Sequence, residues 1–124
     1  MSFQDFTKLD VWLSTMALTN SIYNITKEFP NSEQFGLANQ MRRCAVSIPS
    51  NIAEGCGRNR NKGKMAFFYI SRGSLFELET QLYITLNQNF IDENFFNEIV
   101  ENLQTSKKLL NGFINYFKKL DDGK

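Results

Sequence analysis

The sequence contains no histidine at all. That absence removes Ser–His and Cys–His nucleophile pairs within one chain. It also removes the Glu-x-x-His motifs that di-metal helical bundles use. Only two cysteines occur, Cys44 and Cys56, and no CxxC spacing. Neither a disulfide scaffold nor a zinc site is supported. No catalytic residue, metal ligand or cofactor is expected. No apolar run approaches the roughly 20 residues that span a bilayer. The opening MSFQDFTKLD has no apolar core for a secretory signal, so a cytoplasmic location with no membrane partner is expected. Proline is scarce too, at two positions, and no stretch alternates in the manner of a strand.

What is present is periodic. The 124 residues suit a single domain, 1–124. Four segments carry apolar residues at three- and four-residue steps, predicting helices over about 8–29, 33–56, 62–87 and 92–120. In the first, Trp12, Met16 and Tyr23 share a face beside a stripe of Leu18, Ile22, Ile25 and Phe29. Phe29-Pro30-Asn31-Ser32 ends it, and Ser32 is a candidate N-cap for the second. There Leu37, Met41, Ala45, Ile48 and Ile52 form one stripe. Pro49 interrupts it, predicting a kink near Ala45–Pro49, or alternatively a break into two helices. Gly55 and Gly57 are expected to end the segment in a left-handed cap.

In the third segment Phe68, Ser71, Leu75, Leu78, Leu82 and Leu86 make a core face. Tyr69, Phe76 and Tyr83 recur every seven residues well away from it, as either a wide core or an oligomer interface. The fourth is the most regular: Phe96, Ile99, Leu103, Ser106, Leu110, Phe113, Phe117 and Leu120. Short connectors favour antiparallel neighbours. The expected fold is therefore all-α, an up-down-up-down four-helix bundle.

Net charge is only +1, but it is unevenly spread. Arg42, Arg43, Arg58, Arg60, Lys62, Lys64 and Arg72 share their span with one acid, Glu54, while the remainder of the chain is net acidic. Such a segment is either a solvated connector or a face for a polyanion, RNA or DNA, with Arg58, Arg60, Lys62 and Lys64 the foremost contacts. Gly55-Cys56-Gly57-Arg58 fits neither common phosphate-loop pattern. Cys56 beside these cations is either a thiol activated by them or an incidental small residue. Cys44 is expected to pack as a small apolar group. Glu77 and Glu79, two apart on a helix, point away from each other and cannot form a carboxylate dyad. One of Arg42 and Arg43 could bridge to either.

Several stretches resemble a known signature: Phe35-Gly36-Leu37, Gln40-Met41-Arg42-Arg43, Val46-Ser47-Ile48-Pro49-Ser50-Asn51-Ile52-Ala53-Glu54-Gly55 and Gly57-Arg58. Leu9-Asp10-Val11-Trp12, Ile22-Tyr23, Phe29-Pro30, Gly73-Ser74 and Glu77-Leu78-Glu79 fit as well. The chain is thereby similar to the bacterial four-helix-bundle family, also called the 23S rRNA intervening-sequence or S23 family. It departs at Cys44, Phe68 and Ser71, where alanine, leucine and alanine are usual. The resemblance implies an antiparallel bundle that often assembles as a homopentamer. A related accessory protein of diversity-generating retroelements is a basic pentameric barrel that binds nucleic acid and a reverse transcriptase; this chain is much less basic. Two functions stand as expectations: a non-enzymatic, nucleic-acid-associated binding module, or a structural or protein-interaction scaffold with no nucleic-acid binding.

Overall fold

The computed structural model describes residues 5–122. It contains four α-helices: α1 Asp10–Thr26, α2 Leu37–Cys56, α3 Asn61–Asn87 and α4 Glu93–Asp122. Each packs on two neighbours, α1 on α2 and α4, and α3 on α2 and α4, with α2–α3 the most extensive contact. No strand occurs among the described residues. This is the antiparallel four-helix bundle that the periodicity predicts.

The core takes one stripe from every helix. Leu18, Ile22, Met41, Ile48, Ile52, Phe68, Leu75, Leu78, Leu82, Leu103, Leu110 and Ile114 are fully enclosed. Rings close both ends of the bundle. Phe68 packs on Phe113 and Phe117, with centroids 4.9 and 5.5 Å away, while Phe29 meets Phe90 at 5.4 Å. Val11, Thr15 and Ile114 are core residues outside the expected stripes, and Leu120 at the end of the α4 seam is 41% exposed. The polar seam residue Ser106 is buried and shares a 2.7 Å hydrogen bond with Ser14 of α1.

The helix ends differ from the sequence expectation, for local reasons. α1 stops at Thr26 rather than Phe29 because the chain tightens into three-residue turns, Glu28 N–H to Ile25 and Phe29 N–H to Thr26. The Gln34 amide then donates to the carbonyls of Thr26 and Phe29, both at 3.0 Å, satisfying groups that a helix end orphans. Lys8 belongs to a preceding 3₁₀ turn, Phe6–Lys8, capped by Asp5. Ser32 is not an N-cap. It lies in a second 3₁₀ turn, Asn31–Glu33, and α2 begins only at Leu37, whose N–H donates to the Glu33 carboxylate.

Pro49 sits inside one uninterrupted α2, which excludes the two-helix alternative. Proline has no N–H for the carbonyl four residues back. That carbonyl, of Ala45, instead accepts from the Thr19 hydroxyl of α1 at 3.1 Å. A neighbouring helix supplies the missing donor.

Neither Gly55 nor Gly57 is left-handed, since no described glycine has positive φ. Gly57 is helical in geometry. Gly55 serves packing: a Cβ there would lie 2.5 Å from the Phe68 ring. The left-handed residue among those described is Asn89, φ 61°, after α3. Phe90 N–H reaches the Thr85 carbonyl and Asn89 N–H the Leu86 carbonyl, a Schellman closure. Asp92 then caps α4 by accepting from Phe95 N–H at 2.8 Å.

Candidate nucleic-acid interface

The seven basic residues that cluster in sequence do not cluster in space. α2 runs the length of the bundle, so Arg42 and Arg43 near its start lie far from the α2–α3 connector. Arg42 is fastened to α1: its Nε donates to Thr26 Oγ1 at 2.8 Å, and its guanidinium lies over the Tyr23 ring. Arg43 is exposed and faces a cleft between α2 and α3. Arg72, midway along α3, lies over Tyr69 and reaches Asn111 of α4. Neither Arg42 nor Arg43 forms an ion pair with Glu77 or Glu79 among the described residues. Glu79 instead takes Lys107 of α4 at 2.5 Å and Gln104 at 2.8 Å. Both side chains lie mostly out of solvent, so each charge offsets the cost of desolvating the other.

Four basic residues do gather at the α2–α3 connector, in two different states. Arg58 pairs with Glu54 one turn back, at 2.9 Å, and lies over the Phe67 ring. Lys64 turns inward and donates to the Cys56 carbonyl at 3.0 Å, serving the end of α2. Arg60 and Lys62 are exposed, with no ion pair among the described residues. The last turns of α4 lie at the same end of the bundle, as the Phe68–Phe117 contact requires. Exposed Lys118 and Lys119 therefore join that end. Sequence reading assigns them only to the dipole of their own helix, because they lie far along the chain from the connector. The opposite end carries exposed Glu28, Asp92, Glu93 and Glu98 together with the cations Lys27, Arg42 and Arg43, so acids and bases are mixed there. The amino end of α3 opens into the basic pole, and its dipole favours an anion there.

Tyr69, Phe76 and Tyr83 are 39, 56 and 49% exposed, so they are not part of a wide core. With Ile70 and Ile84 they form an apolar strip on the outer face of α3. Gly73 lies within that strip, and a Cβ there would meet nothing within 4 Å.

Neither thiol is activated. Burial pushes the Cys44 thiol well above its usual range, aided by a hydrogen bond to Glu77 and by that carboxylate's charge. Burial also raises Cys56, and the opposing charge of Lys64 does not reverse it. The idea of a Cys56 thiolate sharpened by the cationic loop is therefore overturned: desolvation outweighs the lysine. Among the described residues no group of three acidic, cysteine or histidine side chains could hold a metal. Nor is any described helix long and apolar enough to cross a membrane.

Comparison with known proteins is consistent with this architecture. Residues 7–112 match the family model described as 23S rRNA-intervening sequence protein. A search of curated proteins finds no match. Among solved structures, the chain is similar to a protein of unknown function from the S23 ribosomal protein family of Bacteroides thetaiotaomicron. The TM-score is 0.78 at 22% identity, over 85% of this chain and 95% of that one, a likeness of fold.

Proposed function

The chain belongs to the 23S rRNA-intervening sequence protein family, and from that premise we propose that it is a non-enzymatic, oligomeric, cytoplasmic module that binds RNA or DNA through its basic pole. The observation that carries the reading is the pairing state of the connector cations. Arg60 and Lys62 project from one end of the bundle without an ion-pair partner among the described residues, beside Lys118 and Lys119. Such cations at a helix amino terminus suit phosphate oxygens. Arg58 reaches phosphate only by leaving Glu54, and Lys64 only by leaving the α2 carbonyls, so both are secondary contacts. Arg42 and Arg72 are occupied with neighbouring side chains and contribute field rather than contacts.

The rings beside this pole are already faced by cations, Phe67 by Arg58 and Tyr69 by Arg72 and Lys118, so binding is to the backbone and tolerant of sequence. Each single-strand phosphate contact contributes a slope of about 0.7 in log K against log salt, so four contacts lose roughly 50-fold between about 50 and 200 mM salt. Filter binding at those two salt concentrations tests this. Arg60→Glu with Lys62→Glu should abolish retention, whereas Arg42→Gln should leave the salt slope unchanged. Flat, absent binding at low salt would remove the reading.

The scaffold alternative draws on the partly exposed aromatic strip of α3, whose rings are faced by Arg72 and Lys118 at Tyr69 and by Lys107 at Phe76. Tyr69, Phe76 and Tyr83, with the unhindered Gly73 among them, suit close approach of a second copy. A pentamer is the assembly that the family resemblance implies. Several basic poles on one particle would multiply the field of the first reading; the scaffold reading, by contrast, has no nucleic-acid binding.

A further inference from the structure

At the end of the bundle away from the basic pole, α1 and α4 leave an open groove between them. Two hollows, of about 300 and 230 Å³, share Asn24, Ile25 and Phe95 and so run together. The floor is apolar: Ile25 of α1, Phe90 and Ile91 of the connector, Phe95 and Ile99 of α4. Phe95 stands where the hollows meet and is 55% exposed, whereas its neighbour Phe96 is 7% exposed and belongs to the core.

The charges along this groove have one sign. Glu28 and Asp92 line its outer part, and Glu98 stands one helical turn along α4 from Phe95; all three are exposed. Asp92 uses one carboxylate oxygen to cap α4 and keeps the other. No lysine or arginine lines either hollow, although Lys27, Arg42 and Arg43 lie at the same end of the bundle. An apolar floor with an acidic rim calls for a partner with apolar anchors and basic flanks. Nucleic acid and anionic lipid do not fit, because the carboxylates repel phosphate. An extended peptide would lay unpaired backbone groups on the apolar floor, with no strand edge to receive them among the described residues. A helix satisfies its own backbone. From Asp92 to Asn102 the groove follows about 15 Å of α4, enough for roughly ten residues of a docked helix.

We infer that the α1–α4 groove docks a basic amphipathic helix of another protein. Its apolar residues, at three- and four-residue steps, pack around Phe95, and its flanking lysines or arginines meet Glu28, Asp92 and Glu98. The unpaired connector cations of a second copy do not supply such a segment, since Asn59-Arg60-Asn61-Lys62 has no apolar anchor. The inference is independent of polyanion binding, since it uses a different face and neither Arg60 nor Lys62.

The test is selection of a phage-displayed library of random peptides, about 14 residues long so that a helix can form, on the full chain. Fluorescence anisotropy of one enriched peptide follows. Enriched peptides should be net basic, with apolar residues at helical spacing. Phe95→Ser, and the pair Glu28→Lys with Glu98→Lys, should each weaken the peptide roughly tenfold or more. The three side chains are exposed, so circular dichroism should show wild-type helical content in both variants. RNA retention should be unchanged in Phe95→Ser, which separates failure here from failure at the basic pole. No enrichment, enrichment of acidic peptides alone, or binding that survives both changes would overturn the inference. So would loss of self-association in Phe95→Ser by sedimentation, because the groove would then be a contact between copies.

Discussion

Thr19 shows how a single side chain makes an awkward sequence workable. Its hydroxyl donates to Thr15 of its own helix at 2.8 Å and to the Ala45 carbonyl of α2 at 3.1 Å. The second acceptor exists because Pro49 cannot serve it. Thr19→Val should therefore destabilise the protein by about 1–2 kcal/mol in urea titrations. In a Pro49→Ala background the substituted residue supplies its own N–H to that carbonyl, and the cost of Thr19→Val should shrink. An equal cost in both backgrounds would mean that the hydroxyl does not compensate for the proline. Cys44 makes a second residue-level prediction. Its folded thiol resists ionisation because of burial and Glu77. An unfolded chain, by contrast, ionises its thiols from about pH 8.5. The sign follows: the contribution is fully present below that pH and is lost as pH rises, because only the unfolded state releases the proton. Between about pH 9 and 11, Cys44→Ala should flatten the fall of stability by up to about 1.4 kcal/mol per pH unit. Parallel wild-type and variant curves would count against it.

At the level of helices, α3 and α4 are joined by a charged bond as well as by apolar surface. Lys107 and Glu79 both lie mostly out of solvent, with Gln104 on the second carboxylate oxygen and the Lys107 ammonium over the Phe76 ring. Removing one partner strands the other in a poorly solvated seam. Lys107→Met should cost about 1–3 kcal/mol, and adding Glu79→Leu should recover most of it. Denaturation of the two variants checks this; a double variant no better than the single would rule out stranded charge as the cause. The helix ends show what periodicity cannot reach. The apolar repeat locates α4 to within a residue at its start, because Asp92 both begins the pattern and caps it. The same repeat misplaces the α1–α2 turn, because Gln34 and Glu33 close the two helix ends through contacts that leave no periodic trace.

For the molecule as a whole, the partly exposed strip on α3 bears on assembly. Phe76→Arg should shift sedimentation toward the monomer while leaving helical content intact, because Phe76 is more than half exposed in the single chain. Gly73→Ala should raise the stability of an isolated chain by about 0.5–1 kcal/mol, as alanine favours a helix interior. The same substitution should weaken an assembly that packs closely there. A Phe76→Arg variant that sediments as wild type would show that this face is not the contact. The bundle itself was legible in the sequence because each helix repeats its apolar spacing over several turns, and burial of those stripes admits one arrangement for short connectors. The candidate surface was legible only in part. Arg60 and Lys62 stand where the connector puts them, but pairing with Glu54 and with helix carbonyls occupies Arg58 and Lys64.

The sequence by itself determined four helices, their order and the greater part of the core, since helical periodicity is a local property that each segment carries alone. It also determined which chemistries lack their residues. Only the tertiary structure decided that Arg42 is fastened to α1 and Arg72 to α4, that both thiols are desolvated, and that Arg43, Glu77 and Gln81 line one cleft. Those outcomes depend on distances between groups tens of residues apart, and such distances exist only once the helices have packed.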